Sequence, residues 1–500
     1  MELYAYFIGA LTPINLVYAL IGVTVGTIIG GLPGLTATMA LAVLVPFTFT
    51  MSPASAMIAL GAIYTGALYG GAYSAILLNT PGTPSAIATT FDGYPMAKEG
   101  EGNFAIRLAC VSSVIGGIIA GLLLLIIAPP LATLALSFGP VEYFWLAILG
   151  LTLIAALSEG NLVKGLLGAS FGIFLSMIGV SLVGGDIRFT GGTQQLLGGI
   201  EMISGLIGLY CIPVLIDLVA TPNRHLPAVT KGTGIEFSRV LSTTRKGIVN
   251  LVRSSLIGTF VGALPGAGGS IASLVAYSEA RRSSPRKEHF GKGEAEGVQA
   301  TESANSATVG GGFIPTLVLG IPGTPPDAVI LAAIMVQGVR TGPELFTKHA
   351  DIAYTFIFGL LIATILMLPV GLILGRWAFR IIRDTPKSIL IPVIAFMTVI
   401  GSFAIQNNID NVFIMIVLGI ISWALSRFGF GPSPIVLGLI LGPIAEQGFV
   451  QGYIIGNATN NLLGSFFGRP ISIIIILLIL LTSLYPLLFR KKASKWRIAA

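Results

Sequence analysis

Glycine, proline and threonine form two short motifs in this chain, each present twice, in the same order, inside apolar sequence. Gly31-Leu32-Pro33-Gly34-Leu35-Thr36 is matched by Ala263-Leu264-Pro265-Gly266-Ala267-Gly268, an offset of 232 from Leu32 to Leu264. Asn79-Thr80-Pro81-Gly82-Thr83-Pro84 is matched by Ile321-Pro322-Gly323-Thr324-Pro325-Pro326, an offset of 241 from Pro81 to Pro322. A helix broken inside lipid leaves N–H and C=O groups unpaired, which costs several kcal/mol each unless something polar satisfies them. That something is often a substrate or its coupling ion, so duplicated breakers point to a transporter's binding site.

The chemistry on offer is electrostatic. Thr83 and Thr324 are placed to cap the half-helix that follows each Pro-Gly-Thr break, with Pro84 and Pro325 at the first helical position. The N–H groups of Ser85 and Ala86, or of Asp327 and Ala328, then point into the break. A helix N-terminus carries roughly half a positive charge and favours a carboxylate. The Leu-Pro-Gly motifs add Gly34, Leu35, Thr36 and Thr38 in one copy and Gly266, Ala267, Gly268, Gly269 and Ser270 in the other. Glycine there lets an anion approach backbone amides. Substrate contacts are therefore expected from Gly34, Leu35, Thr36, Thr83, Ser85, Gly266, Ala267, Gly268 and Thr324.

The half-helices that precede the breaks end in carbonyl groups, at Leu78, Asn79 and Thr80 and at Val318, Leu319 and Gly320. Such ends suit Na⁺. Asn79, Thr80, Asn305, Leu319 and Gly320 are the expected cation contacts. Basic side chains are absent from the motifs, so a polyanion is held by dipoles while bound cations offset its charge. This favours symport with Na⁺ or H⁺, with no organic cofactor. Glu302 and Asn305 are expected to start the second broken helix, Glu302 either facing a cavity or capping the helix at the interface. Asp327 stands beside the anion site, as a cation or proton group or facing the interface.

Enzyme chemistry finds little support. His225, His289 and His349 all fall in loops, so no intramembrane His–Ser dyad is available. Cys110 and Cys211 lie in apolar segments and set no disulfide framework. Gly184-Gly185-Asp186 has the wrong glycine spacing for an intramembrane aspartyl motif.

The elements that must position these motifs are membrane helices. Of 500 residues, 54% are hydrophobic and 10% charged, against about 25% charged in a soluble domain. Apolar runs at 108–128, 196–220, 352–375 and 471–488 are long enough to span. The net charge of +7 comes from loops rather than a nucleic-acid face. Basic clusters at 224–253, 281–292 and 376–387 and in the tail after Arg490 are expected to be cytoplasmic.

If so, residues of about 254–278 enter and leave on one side, as a re-entrant hairpin of two arms too short to cross, tipped by Leu264-Pro265-Gly266. The chain then rises from Thr301 to Gly320 and breaks before Asp327. The same scheme inverted in the first half gives a hairpin over 13–50 and a broken helix over 54–91. Four spans follow, at about 108–128, 141–157, 163–183 and 196–219, so the second copy is inverted. The expected fold is all-α and polytopic, with about 10–14 transmembrane segments in two inverted-topology repeats, each with a re-entrant hairpin and a broken helix. The organisation is a first membrane repeat over 1–220, a cytoplasmic linker over 221–246 and a second repeat over 247–470. A terminal helix and basic tail occupy 471–500. The N-terminus is expected outside and the C-terminus inside; 431–468 is either a bent span or another hairpin.

Gly31-Leu32-Pro33-Gly34-Leu35-Thr36, Asn79-Thr80-Pro81-Gly82-Thr83-Pro84 with Asp92-Gly93-Tyr94-Pro95, and Ile321-Pro322-Gly323-Thr324-Pro325 resemble the large membrane subunit of the tripartite tricarboxylate transporter family. The resemblance covers essentially the whole chain. It implies a bacterial cytoplasmic (inner) membrane permease working with a small four-span membrane subunit and a periplasmic solute-binding protein. It implies ion-driven uptake of carboxylates, citrate-like tricarboxylates or dicarboxylates among them. Two rivals remain, a passive carboxylate channel and a non-transporting receptor or scaffold.

Overall fold

A computed structural model describes residues 2–157, 162–181, 183–220, 237–377 and 387–493. Part of the linker at 221–246, including Arg224 and Lys231, lies outside the described residues, as do Arg380, Arg383, Lys495 and Arg497. The protein is an all-α polytopic membrane protein. Seven helices among the described residues are long and apolar enough to cross a bilayer, and seven shorter apolar helices accompany them. The strands are a two-residue pair, Gly179–Val180 with Ile187–Arg188.

The chain forms two compact units that interleave in sequence. One comprises 1–132 and 213–407, the other 133–212 and 408–500. Both copies of both motifs fall in the first unit.

In that unit each copy is a hairpin packed along a long buried helix. The first copy runs α2 (Pro13–Gly31), α3 (Ala37–Leu44) and α4 (Pro53–Leu78). The second runs α11 (Ile248–Gly262), α12 (Gly268–Ser283), α13 (Ala295–Leu319) and α14 (Pro325–Val336). Every residue from Ser55 to Leu78 is buried, as is every residue from Gly297 to Val318. Protein therefore surrounds both helices, which is how α13 can carry Glu302, Asn305 and Ser306 along a fully buried stretch.

Small residues let the backbones meet. A Cβ added at Gly26 or Gly30 would lie 2.2 Å or 2.1 Å from the carbonyl oxygens of Ile63 and Ala67 on α4. At Gly258 and Gly262 it would lie 2.3 Å and 2.7 Å from those of Ala304 and Thr308 on α13. The contacts repeat at the offsets of the motifs, 232 on the hairpin and 241 on the long helix. Close small-residue crossings of this kind replace a hydrophobic driving force that lipid cannot supply.

Several expectations need correction. The arms of the second hairpin have 15 and 16 residues, short of a span as expected. The inverted scheme does not carry over to α2 of the first copy, whose 19 residues, about 28 Å at helical rise, are long enough to cross. Helix α13 begins at Ala295, not Thr301, and its N-cap is Glu294. Glu302 is thus two turns inside and fully buried, not a cap at the interface. In the first copy no long half-helix follows the break: a single 3₁₀ turn at Pro84–Ala86 precedes α5 (Thr90–Lys98). The span expected over 163–183 ends as a helix at Ser176 and turns into the strand pair.

In the second unit, Leu162–Ser176 and Pro140–Leu157 pack on the long helix Pro432–Ala458. That helix accounts for most of 431–468, followed by a short helix at Leu462–Phe467 that Asn461 caps. Glu142 is fully buried there and paired with Arg469 at 2.6 Å, with Ser472 donating at 2.7 Å. Glu446 pairs with Arg188 at 2.8 Å.

Candidate functional site at the paired helix breaks

Both long helices end in the same way. Asn79 closes α4 in the left-handed conformation at φ 55°, with its N–H donating to Ser74 O. Gly320 closes α13 at φ 70°, donating to Pro315 O. Thr80 and Ile321 then donate to the same two carbonyls, each at 3.4 Å. The Pro-Gly step that follows folds back on its own helix and hairpin. A Cβ at Gly82 would lie 2.3 Å from Gly30 O, and one at Gly323 would lie 2.4 Å from Gly262 O.

The copies part at the threonine. Thr324 caps α14 as expected: its hydroxyl accepts from Asp327 N at 3.4 Å, and Pro325 occupies the first position. The same hydroxyl donates to Asp327 Oδ2 at 2.6 Å and lies 2.9 Å from the Tyr64 hydroxyl. Thr83 caps nothing; its hydroxyl lies 3.0 Å from that of Ser85. With only a 3₁₀ turn behind it, the first break lacks the aligned amides of a helix end.

Each copy reaches into the other. The first break meets the second hairpin, where a Cβ at Gly269 would lie 2.7 Å from Ser85 Cβ and 2.6 Å from Asn305 Oδ1. Asn305 is fully buried, its Nδ2 donates to Leu68 O at 3.5 Å, and its Oδ1 has no hydrogen-bond partner. Tyr64 on α4 meets the second break through Thr324. Thr83, Ser85, Asn305 and Thr324 are thus all buried at these crossings, whereas a Cβ at Gly268 would meet nothing within 4 Å.

Other expected contacts lie differently. Gly266 N donates to Gly323 O at 2.8 Å, Ala267 N to Leu264 O at 3.1 Å, and Leu35 N to Leu32 O at 3.2 Å. These amides hold the tips together rather than pointing outward. Gly34 is exposed at φ 93°, and Thr36 caps α3 through Met39 N. Asn79 is exposed, while the Thr80 hydroxyl donates to Leu78 O. Leu319 is half-buried and Gly320 faces Thr341. Fourteen residues separate Asn305 from Leu319 on α13, about 21 Å at helical rise. The five expected cation contacts therefore do not form one shell.

Three further residues of consequence have partners that the sequence did not reveal. Glu302 Oε1 accepts from Thr89 and Oε2 accepts from Ser113 at 3.1 Å, so one acid ties α13 to α6 (Gly102–Ala135) and to the segment after the first break. Asp92 Oδ1 accepts from the N–H groups of Gly291, Gly293 and Glu294 at 2.8 to 2.9 Å. It binds the first copy to the turn that starts α13, where Gly291 and Gly293 take φ of 85° and 103°. Tyr64 is the third. Its position, 241 before Asn305, is the only trace that periodicity offers.

A family model described as the tripartite tricarboxylate transporter TctA family matches residues 16–437. The chain is similar to an uncharacterized 52.8 kDa protein in the TAR-I ttuC' 3' region of Agrobacterium vitis. That relative is 36% identical over 480 residues, 95% of each chain. A second Agrobacterium vitis protein, in the TAR-II ttuC' 3' region, is 35% identical over 229 residues, covering 44% of this chain and 94% of its own. No solved structure matches. Duplicated breaks on buried helices, together with a match over most of its length, place this chain in the tripartite tricarboxylate transporter TctA family, as a membrane permease component.

Proposed function

We propose that this chain is the permease of an ion-driven carboxylate importer in the bacterial inner membrane, with its N-terminus periplasmic and its C-terminus cytoplasmic. The observation that carries the reading is the crossing of the two copies in one compact unit, where each break meets an element of the other. The N-terminal end of α14, whose dipole points at the second break, suits a substrate carboxylate. Asn305 Oδ1 and the hydroxyls of Thr83 and Ser85 suit the cation beside it. The family implies further subunits, and a periplasmic binding protein and a small four-span membrane subunit fit that role. The two copies move as one body and expose the breaks to each side in turn, as in other inverted-repeat carriers.

The test is uptake into proteoliposomes holding the full chain and both partners, with labelled citrate, succinate, malate and tartrate as probes. Accumulation above the external concentration, lost with an ionophore, is the expected result. Equilibration that ignores the ion gradient would instead mark a passive facilitator. Fixing the breaks and hairpin tips by cross-links to the remaining helices is expected to stop uptake.

A further inference from the structure

Five carboxylates are buried among the described residues: Asp92, Glu142, Glu294, Glu302 and Asp327. Asp92 is held by three backbone N–H groups, Glu142 by Arg469 and Glu294 by Arg286. Glu302 uses both oxygens on the hydroxyls of Thr89 and Ser113. Asp327 has the fewest donors of the five. Its Oδ2 accepts from Thr324 and its Oδ1 has no hydrogen-bond partner; Asp92 Oδ2 also lacks one, but Asp92 Oδ1 holds three N–H groups. It is fully buried, and it stands in the first turn of the half-helix that begins at the second break.

We propose that Asp327 carries the coupling proton of the transport cycle, on Oδ1. This deepens the symport reading and rests on it. An ionised acid at membrane depth without a basic partner is costly, and taking up a cation removes that cost. The surroundings suit a proton better than a metal ion. Gly312 and Gly323 close over the carboxylate, and a Cβ at Gly312 would lie 2.2 Å from Oδ2 and 3.2 Å from Oδ1. The side-chain oxygens hydrogen-bonded around it are the hydroxyls of Thr324 and, one step further, Tyr64. A metal ion needs several oxygen ligands in a shell, whereas a proton needs one lone pair.

The step balances simply. A proton from water on the outer side adds to Oδ1 and leaves the same oxygen to water on the inner side. Thr324 keeps donating to Oδ2 throughout, and no other bond changes. The elements packed on α14 carry few ionisable groups. Helix α3 and the 3₁₀ turn Val45–Thr48 have none, α4 has Tyr64, Tyr69 and Tyr73, and α13 has Glu296 and Glu302. Of these, Tyr64 alone joins the Asp327 network, while Glu302 lies ten residues before Gly312, about 15 Å along the helix. The duplication supports the assignment. At the offset of 241, Ala86 occupies the Asp327 position in the first copy, so the acid is an addition to a shared frame rather than part of it.

Two measurements test this. Infrared titration of the purified full chain in liposomes is expected to show the C=O stretch of a protonated carboxyl at neutral pH, lost in Asp327→Asn and kept in Glu302→Gln. In proteoliposomes with both partners and the best-accumulated carboxylate of the panel above, Asp327→Asn is compared with the wild type. Its net accumulation on an inward proton gradient should fall by about tenfold or more. Asp327→Glu should restore part of it, which a misfolded variant cannot do. A wild-type band unchanged by Asp327→Asn overturns the proposal, as does accumulation by Asp327→Asn at the wild-type level or wild-type uptake that follows Na⁺ alone. Wild-type uptake that ignores every gradient overturns the symport reading instead, whatever the infrared bands show.

Discussion

The two copies of the repeated segment share a frame and differ in what lines it. The shared part is steric. Gly30 and Gly262 meet the long helices, Gly82 and Gly323 fold back on the hairpins, and Asn79 and Gly320 close α4 and α13 in the left-handed conformation. The differing part is polar. At equivalent positions the first copy has Gly61, Tyr64, Ala86 and Asp92 where the second has Glu302, Asn305, Asp327 and Ala333. Duplication thus preserved the backbone crossings, where any Cβ collides, and left the side-chain positions free to diverge into separate tasks. The second unit offers the contrast of a buried acid with a basic partner: Glu142 pairs with Arg469.

The shared frame predicts the largest effects, and predicts them equally. Gly30→Leu and Gly262→Leu each force a side chain into a backbone carbonyl and are expected to cost about 3 kcal/mol or more. Thermal midpoints in nanodiscs measure this, and a tolerated Gly262→Leu beside a disruptive Gly30→Leu would break the equivalence. The polar positions predict inequality. Glu302→Ala strands the buried Ser113 hydroxyl and leaves that of Thr89 with Thr301 alone, at about 1–3 kcal/mol. Gly61→Ala meets side chains rather than backbone, the edge of the Phe356 ring at 2.9 Å and Leu360 Cδ1 at 3.3 Å from the new Cβ, and is expected to cost less.

Asp92→Ala removes the acceptor of three N–H groups and is expected to loosen the start of α13 by about 1–3 kcal/mol. Asp92→Asn keeps an acceptor oxygen and is expected to be milder, and hydrogen exchange at Gly291 to Glu294 separates the two. The smallest contrast lies at the caps. Thr324→Val loses a helix cap worth about 1 kcal/mol, while Thr83→Val loses only a hydroxyl contact with Ser85 and is expected to shift the midpoint less.

Much of the frame was legible in the chain. The hairpins tipped at Leu32-Pro33-Gly34 and Leu264-Pro265-Gly266 form between α2 and α3 and between α11 and α12. Helix breakers act over one or two residues, so their effect survives without knowledge of the fold. The half-helix expected after Thr83 did not form. Ser85 and Ala86 lie against the second hairpin, and a 3₁₀ turn fits there in place of a helix. Helix α13 was placed too late, because the polar run from Ala295 to Thr301 reads as loop until the packing around it is known. The roles of Glu302 and Asp92 rest on partners some 200 residues away, such as Thr89 and Gly291.

By itself the sequence determined the membrane class, the duplication and its two offsets, and the places where helices must stop. Each of these follows from composition or from local backbone sterics. Only the tertiary structure decided that both copies share one unit, that each break meets the other copy, and which acids lack a basic partner. Those facts depend on contacts between segments far apart in the chain, and local physical chemistry does not specify them.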